Sequence, residues 1–291
     1  MTSLQLSLLP HRSVIAVGGD DRVEFLQGLI SNDTTKVVPG RAIWAALLTP
    51  QGRFLNDMFV VDGGNGTLLL ETERERAPAL AKKLNLYKLR SKVTVEDRSA
   101  VLEVAVVFGA DADKLPPIAD MPGGAIAFVD PRLAELGVRV LAPTGTASTL
   151  LQARGIAEAS LATYDALRLG LGVPDGSRDL RVEKALLLES GFDELNGIDW
   201  KKGCYMGQEL TARTKYRALV RKRLFPVSVA GTLPAPGTSI HLDGQEVGEL
   251  RSGSGRHALA LLQTEAARGP GPLIADGVQV TPTIPPWMRL G

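Results

Sequence analysis

Ala42-Ile43-Trp44-Ala45-Ala46-Leu47-Leu48-Thr49-Pro50-Gln51-Gly52-Arg53-Phe54-Leu55-Asn56-Asp57-Met58-Phe59-Val60-Val61 is the stretch that sets the class of fold. Two apolar runs, 42–48 and 54–61, flank Thr49-Pro50-Gln51-Gly52, with a proline and a glycine placed as a tight turn requires. The stretch is therefore a hairpin. Upstream, Ser13 to Val17 is a short β-branched strand, followed by a helix that Asp20 or Asp21 can cap and whose apolar side is Val23, Leu26, Leu29 and Ile30. Downstream come a strand from Thr67 to Glu71 and a helix to about Leu86 opened by a Thr72/Glu75 capping box. Strands at Lys92 to Glu96 and Val101 to Phe108 follow. Strands and helices mixed without βαβ alternation predict an α+β class rather than a doubly wound sheet.

Ala110 to Gly124, rich in Pro, Asp and Gly, is a loop between two halves of similar make-up. The second half carries strands at Ala125 to Val129 and Val138 to Leu141, then helices near Ala147 to Arg154 and Leu161 to Leu169. Beyond about Arg217 the chain turns to short strands separated by Pro and Gly: Arg223 to Ala230, Thr238 to Leu242, Glu246 to Leu250, His257 to Leu262 and Gly277 to Thr281. That spacing predicts a small β-barrel. The expected organisation is a first domain over 1–217 and a barrel over 218–291.

The chain has 291 residues, one cysteine and a formal net charge of +1. A single cysteine excludes an intrachain disulfide, a CxxC redox pair and an all-cysteine zinc site, which fits a reducing compartment. Met1 to His11 lacks an early basic residue and its apolar run stops at Pro10, so it does not read as a secretory signal. No apolar run approaches the roughly 18 residues of a membrane span. These features predict a cytoplasmic protein with no membrane partner.

Charge is unevenly spread. Residues 200–223 hold eight basic side chains against the single acid Glu209. If folding keeps them together they draw an anionic ligand or an acidic partner; otherwise they are a solvated strand and loop. Inside this segment lies Lys202-Gly203-Cys204-Tyr205-Met206-Gly207-Gln208-Glu209. Glycines on both sides of Cys204 give a ligand or partner close access to the sulfur, and nearby cations favour the thiolate. The alternative is a buried, inert thiol. Iron-sulfur clusters take about four thiolates, or two with two histidines. With one cysteine and the scattered His11, His241 and His257, the chain is not expected to house a cluster or a zinc ion. A cysteine hydrolase would need one of those histidines as base, and no local signature supports it. Gly170 to Gly176 superficially resembles a dinucleotide loop but follows a helix and contains Pro174, so it is a turn.

Two acids stand out by position. Asp57 lies in the hairpin, and Glu189 lies between Leu186-Leu187-Leu188 and Gly191, where a carboxylate bordering a core can accept the adjacent N–H groups of a pterin ring. For either acid alone, a cap or a solvent-facing role is the simpler reading.

The Lys202 to Glu209 stretch resembles the signature of the YgfZ group of folate-binding proteins, relatives of the glycine-cleavage T-protein (aminomethyltransferase). Leu187 to Val227, with Asn196-Gly197, Leu210 to Thr214 and Arg221 to Pro226, is most similar to the mitochondrial branch that assists 4Fe-4S cluster assembly. Phe25 to Asp33 and the Pro50-Gln51-Gly52 turn are also similar to the family. The resemblance implies a T-protein-like folate-binding domain followed by the barrel, tetrahydrofolate as cofactor, and iron-sulfur assembly or client proteins as partners. It puts Glu189 at the pterin-binding carboxylate, Cys204 at the signature cysteine and Arg213 toward the folate tail, with Asp57 as a further folate residue. Where T-proteins carry paired aspartates, this chain has Asn56-Asp57, which weighs against aminomethyl transfer. Two rivals follow: a folate-dependent one-carbon transferase acting on an amine or a tRNA base, and an RNA-binding module using 200–223. The second lacks interleaved aromatics and is not favoured.

Overall fold

The computed structural model describes residues 4–112, 124–217 and 220–290. Most of the expected loop from Ala110 to Gly124 lies outside them. The chain divides into two compact units. The first comprises Met1–Thr49, Leu55–Leu161 and Asn196–Met206; the second comprises Pro50–Phe54, Ala162–Leu195 and Gly207–Gly291.

The first unit contains two five-stranded sheets. One runs, in spatial order, Ile43–Leu48, Phe54–Gly64, Thr67–Glu73, Arg12–Gly18 and Thr94–Asp97. Its hairpin is the one that the 42–61 pattern predicts. The other runs Ala157–Glu158, Gln5–Leu8, Leu102–Phe108, Val138–Pro143 and Ile126–Val129. Only the short pair of Gln5–Leu8 with Ala157–Glu158 is parallel among the registered pairs of this unit. The helix Ala77–Tyr87 packs on Arg12–Gly18 and Thr94–Asp97, while Ala147–Gln152 packs on the second sheet. Leu6, Val107, Val140, Leu151 and Ile156 form an apolar core on that second sheet.

Charge joins the two sheets. Phe59, Glu71 and Val14 sit opposite one another across three neighbouring strands and so share a face. From the other sheet Arg139 grips Glu71 with two bonds of 2.7 and 2.5 Å, and Arg12 adds a third at 2.9 Å. Arg139 also reaches Asp130, which Arg132 holds in turn. All these side chains are buried. Burial alone would push Glu71 up, but Arg139 and Arg12 outweigh it and hold the carboxyl below its ordinary value. The Phe59 ring lies against the guanidinium groups of Arg12, Arg132 and Arg139, the nearest 4.2 Å from its centroid.

In the second unit six strands close a barrel in the order Lys222–Val229, His257–Gln263, Gln245–Ser254, Ser239–Leu242, Leu273–Ala275 and Val278–Pro282. Phe225, Ile240, Leu250, Leu262 and Val280 fill it. Outside it lie the helices Leu161–Gly170 and Gln208–Tyr216.

Local differences from the sequence pattern have identifiable causes. The Thr72/Glu75 capping box does not form: Thr72 remains in the sheet, its hydroxyl donating to the Asp57 carbonyl, and the helix starts at Ala77. Asp21 precedes the helix Arg22–Gln27, but its carboxylate accepts the Lys92 N–H instead of capping. The basic segment is not a strand and loop, since Gln208–Tyr216 is helical.

Candidate functional site

The signature loop is built on the segment 27–32 of the first unit. Asn32 donates to the carbonyls of Trp44 and Asn196, and the Ser31 hydroxyl donates to the Gly197 carbonyl. The Asp199 backbone N–H returns to the Ser31 carbonyl. The Asp199 carboxylate pairs with Lys36 and accepts the N–H groups of Lys201 and Lys202. The Lys202 ammonium then donates to three carbonyls, those of Gln27, Ile30 and Asn32, at 2.8, 2.6 and 2.8 Å. Beyond the cysteine, Met206 N–H donates to the Gly28 carbonyl and Tyr205 is buried.

Cys204 is thus held out from a loop tied down on both flanks. The thiol is free and exposed. A Cβ added at Gly203 would meet nothing within 4 Å, so the residue preceding the cysteine also borders open space. This disposes of the buried-thiol alternative. The Lys202 ammonium, however, is directed into the three carbonyls, and burial lowers its pKa to about 8 despite the opposing pull of Asp33 and Asp199. Next to the loop base is a cavity of about 490 Å³ whose wall includes Asn32, Arg41, Asp130, Asn196 and Asp199.

Asp57, also in the first unit, is 1% exposed. One carboxylate oxygen accepts from the Trp44 indole N–H at 3.1 Å and the other from Arg12 at 3.5 Å, which makes it the outer member of the buried charge network. Its neighbour Asn56 falls on the opposite face of the strand, buried, with no partner for its side-chain amide nitrogen.

Glu189 and Arg213 belong to the second unit. Glu189 is half-buried in the turn Leu188–Ser190, against which both the helix Gln208–Tyr216 and the strand Lys222–Val229 pack. Burial raises its carboxyl, partly offset by Lys222 and Arg53. Gly191 ends the turn at φ +76°, and a Cβ there would stand 2.8 Å from the Trp287 ring, so the tryptophan locks the turn that presents Glu189. Arg213 is exposed on the helix.

Of the eight cations in 200–223, Lys202, Lys215 and Arg223 are used internally, the last two by Asp193 and Glu194. Among the described residues no group of three or more His, Cys, Asp and Glu side chains could hold a metal ion. No helix is long and apolar enough to cross a membrane. Sequence reasoning passed over Glu71, Arg139 and Lys202 as functional supports. Val138-Arg139-Val140, a charge between β-branched residues, was the available signal.

Residues 221–290 match the family profile described as CAF17, C-terminal beta-barrel domain. Over 304 residues the chain is 36% identical to the iron-sulfur cluster assembly factor IBA57, mitochondrial, of Mus musculus, covering 96% of this chain and 84% of the relative. The Homo sapiens protein of the same name is 36% identical over 305 residues with the same coverage. Among solved structures, the glycine cleavage system aminomethyltransferase T of Bartonella henselae superposes with a TM-score of 0.79 at 16% identity, covering 99% of this chain and 87% of that one. The fold is therefore α+β and T-protein-like, with a C-terminal barrel. The names also correct one expectation. The relatives are mitochondrial, which overturns the cytoplasmic assignment; a lone cysteine and the lack of an apolar span do not separate one reducing aqueous compartment from another.

Proposed function

Because the chain belongs to the family of iron-sulfur cluster assembly factors represented by IBA57, we propose that it assists assembly or repair of 4Fe-4S clusters on client proteins through Cys204. The observation that carries this reading is the exposed thiol on a loop clamped by Lys202 and Met206. One thiol supplies one of the roughly four ligands a cluster takes. The cluster is cargo, and its other ligands come from the protein that brings or receives it. On ligation the thiol gives up its proton to solvent and the thiolate takes one coordination position on iron. A rigid base and an open tip suit such a brief contact.

Tetrahydrofolate enters this reading through the resemblance to the folate-binding group. Glu189 fits it: a half-buried carboxylate beside Leu187 and Leu188 can accept the paired N–H groups of a pterin. Arg213, on the helix packed against that turn, fits the carboxylated tail. Asp57 does not offer free oxygens; it holds the Trp44 indole in place and contributes as a brace. When bound, tetrahydrofolate supplies a one-carbon carrier.

The test is anaerobic transfer of a 4Fe-4S cluster to an apo-enzyme. Cys204→Ser should slow transfer at least tenfold, and an unchanged rate sinks the role of the thiol. Folate is tested separately by calorimetry: the wild-type chain should take up tetrahydrofolate, and Glu189→Gln should weaken uptake by roughly tenfold through loss of a charge-assisted acceptor. No uptake by the wild type ends the folate reading and leaves the thiol reading standing.

A further inference from the structure

The second unit carries a groove of about 650 Å³ on the barrel, where Arg221, Lys222 and Arg268 meet Gln263, Thr264 and Glu265. All three cations are exposed, and none forms an ion pair among the described residues. The backbone that bears them is nonetheless fixed. Lys222 lies opposite Gln263 in the barrel register, and Thr264 N–H donates to the Arg221 carbonyl, fastening the short helix that bears Arg268 to the strand that bears the other two. The Thr264 hydroxyl is buried in this wall and has no hydrogen-bond partner. With three exposed cations and the single acid Glu265 on its wall, the groove carries a net positive charge that incoming carboxylates would offset.

The charge continues along the chain. Arg213 and Arg217 are exposed on and just after the helix Gln208–Tyr216, and Tyr216 between them is 78% exposed. Three residues separate Arg217 from Arg221 in the chain, so the two lie within about 14 Å of each other. An exposed tyrosine with an exposed arginine on either side of it in sequence has the composition of an interface centre rather than of ordinary surface. It also supplies only one stacking platform, where a single-stranded nucleic-acid track uses several.

We propose that this groove and the adjoining helix end form a docking surface for a carboxylate-rich segment of a partner protein. The inference rests on the assembly-factor reading, since such a factor must meet another protein, and it names the surface and the chemistry of that encounter. Arg221, Lys222 and Arg268 pair with the acidic side chains, and Tyr216 packs against the flanking residues.

The experiment measures fluorescence anisotropy of a fluorescein-labelled oligoglutamate peptide with the full chain. Wild type should bind with an affinity that falls as salt is raised. The double variant Arg221→Glu, Arg268→Glu should lose at least tenfold, Arg221→Gln, Arg268→Gln should lie between, and Arg90→Glu, on the first unit, should match wild type. Circular dichroism checks that each variant is folded. Equal binding by the charge-reversed chain overturns the proposal. So does a preference of tenfold or more for an RNA oligonucleotide, or for a polyglutamyl folate whose affinity drops with the same variants. Cluster transfer to a small apo-protein is read in parallel: a chain that transfers clusters but ignores the peptide loses this surface and keeps the assembly reading.

Discussion

In the first unit the buried charge network is built around an acid, Glu71, gripped by two arginines; in the second it is built around a cation, Arg168, gripped by two aspartates. Arg168 donates to Asp165 at 2.6 Å, to Asp179 at 2.9 Å and to the Ser252 hydroxyl at 2.8 Å, joining the helix Leu161–Gly170 to the barrel strand Gln245–Ser254. Both hubs are almost wholly buried. They differ in what stands behind the partners. Asp165 also pairs with Arg178, and Asp179 accepts the backbone N–H groups of Asp175 and Ser252. Arg12 and Arg139, by contrast, have weaker second carboxylates, Asp57 at 3.5 Å and Asp130 at 3.3 Å, and lean on the Phe59 ring. The acid-centred network is the more brittle, because its ionic partners depend more on one residue.

Glu71→Gln is the change expected to cost most. It leaves two buried guanidinium groups sharing a neutral acceptor, and breaking a buried pair by removing one partner costs about 3–5 kcal/mol. Urea unfolding should show that loss, and a loss under about 1 kcal/mol would mean that Asp57 and Asp130 suffice. The pH dependence gives an independent reading. Glu71 and Asp130 are held below their ordinary values, so the native state binds their protons less tightly than the unfolded chain. Their contribution is present above the unfolded values of 4.5 and 3.8 and is lost as pH falls through the lower folded ones. Glu71→Gln should therefore flatten the acid limb of the stability curve.

Arg168→Met tests the other side of the comparison. Here the orphaned aspartates keep Arg178, Ser252 and backbone donors, so the expected cost is smaller, about 2–3 kcal/mol. The same measurement decides it: a loss equal to or larger than that of Glu71→Gln would show that the backing partners do not compensate, and the contrast between the networks would fail.

Neither network is visible in the sequence as a network. The hairpin at 42–61 and most barrel strands are legible because apolar runs and turn residues report local backbone geometry, which needs no knowledge of the far partner. Arg12, Glu71 and Arg139 are charges inside strands, and a charge in a strand normally marks the solvent face. Only the pairing of the two sheets turns them inward. The helix Gln208–Tyr216 is hidden for a related reason: its buried residues are Thr211 and Thr214, so no apolar period announces it. At the candidate site the unusual residue, Cys204, was plain, and Glu189 stood out against its apolar neighbours. The clamp beneath Cys204 was not, since a lysine that donates to three carbonyls some 170 positions away leaves no local trace.

That clamp is the third buried-charge arrangement, and it differs from both networks in a way that predicts the smallest effect. Each hydrogen bond recorded for the Lys202 ammonium ends on a neutral carbonyl, and Asp33 and Asp199 only partly offset its burial. Its pKa of about 8 lies below the unfolded value of 10.5, so between those two pH values the unfolded chain binds more protons. By linkage, the contribution of this group to stability rises with pH across that window, opposite in sense to a paired cation whose pKa is raised. Lys202→Met removes the hydrogen bonds and the burial penalty together, and the two partly cancel. The expected global loss is therefore about 1–2 kcal/mol. The local effect should be larger than the global one: hydrogen exchange at Met206, whose N–H meets the Gly28 carbonyl, should accelerate because the segment 27–32 loses its tie to the loop. If exchange at Met206 is unchanged, the loop is held by the Asp199 and Ser31 contacts alone, and Lys202 is not what steadies the base beneath Cys204.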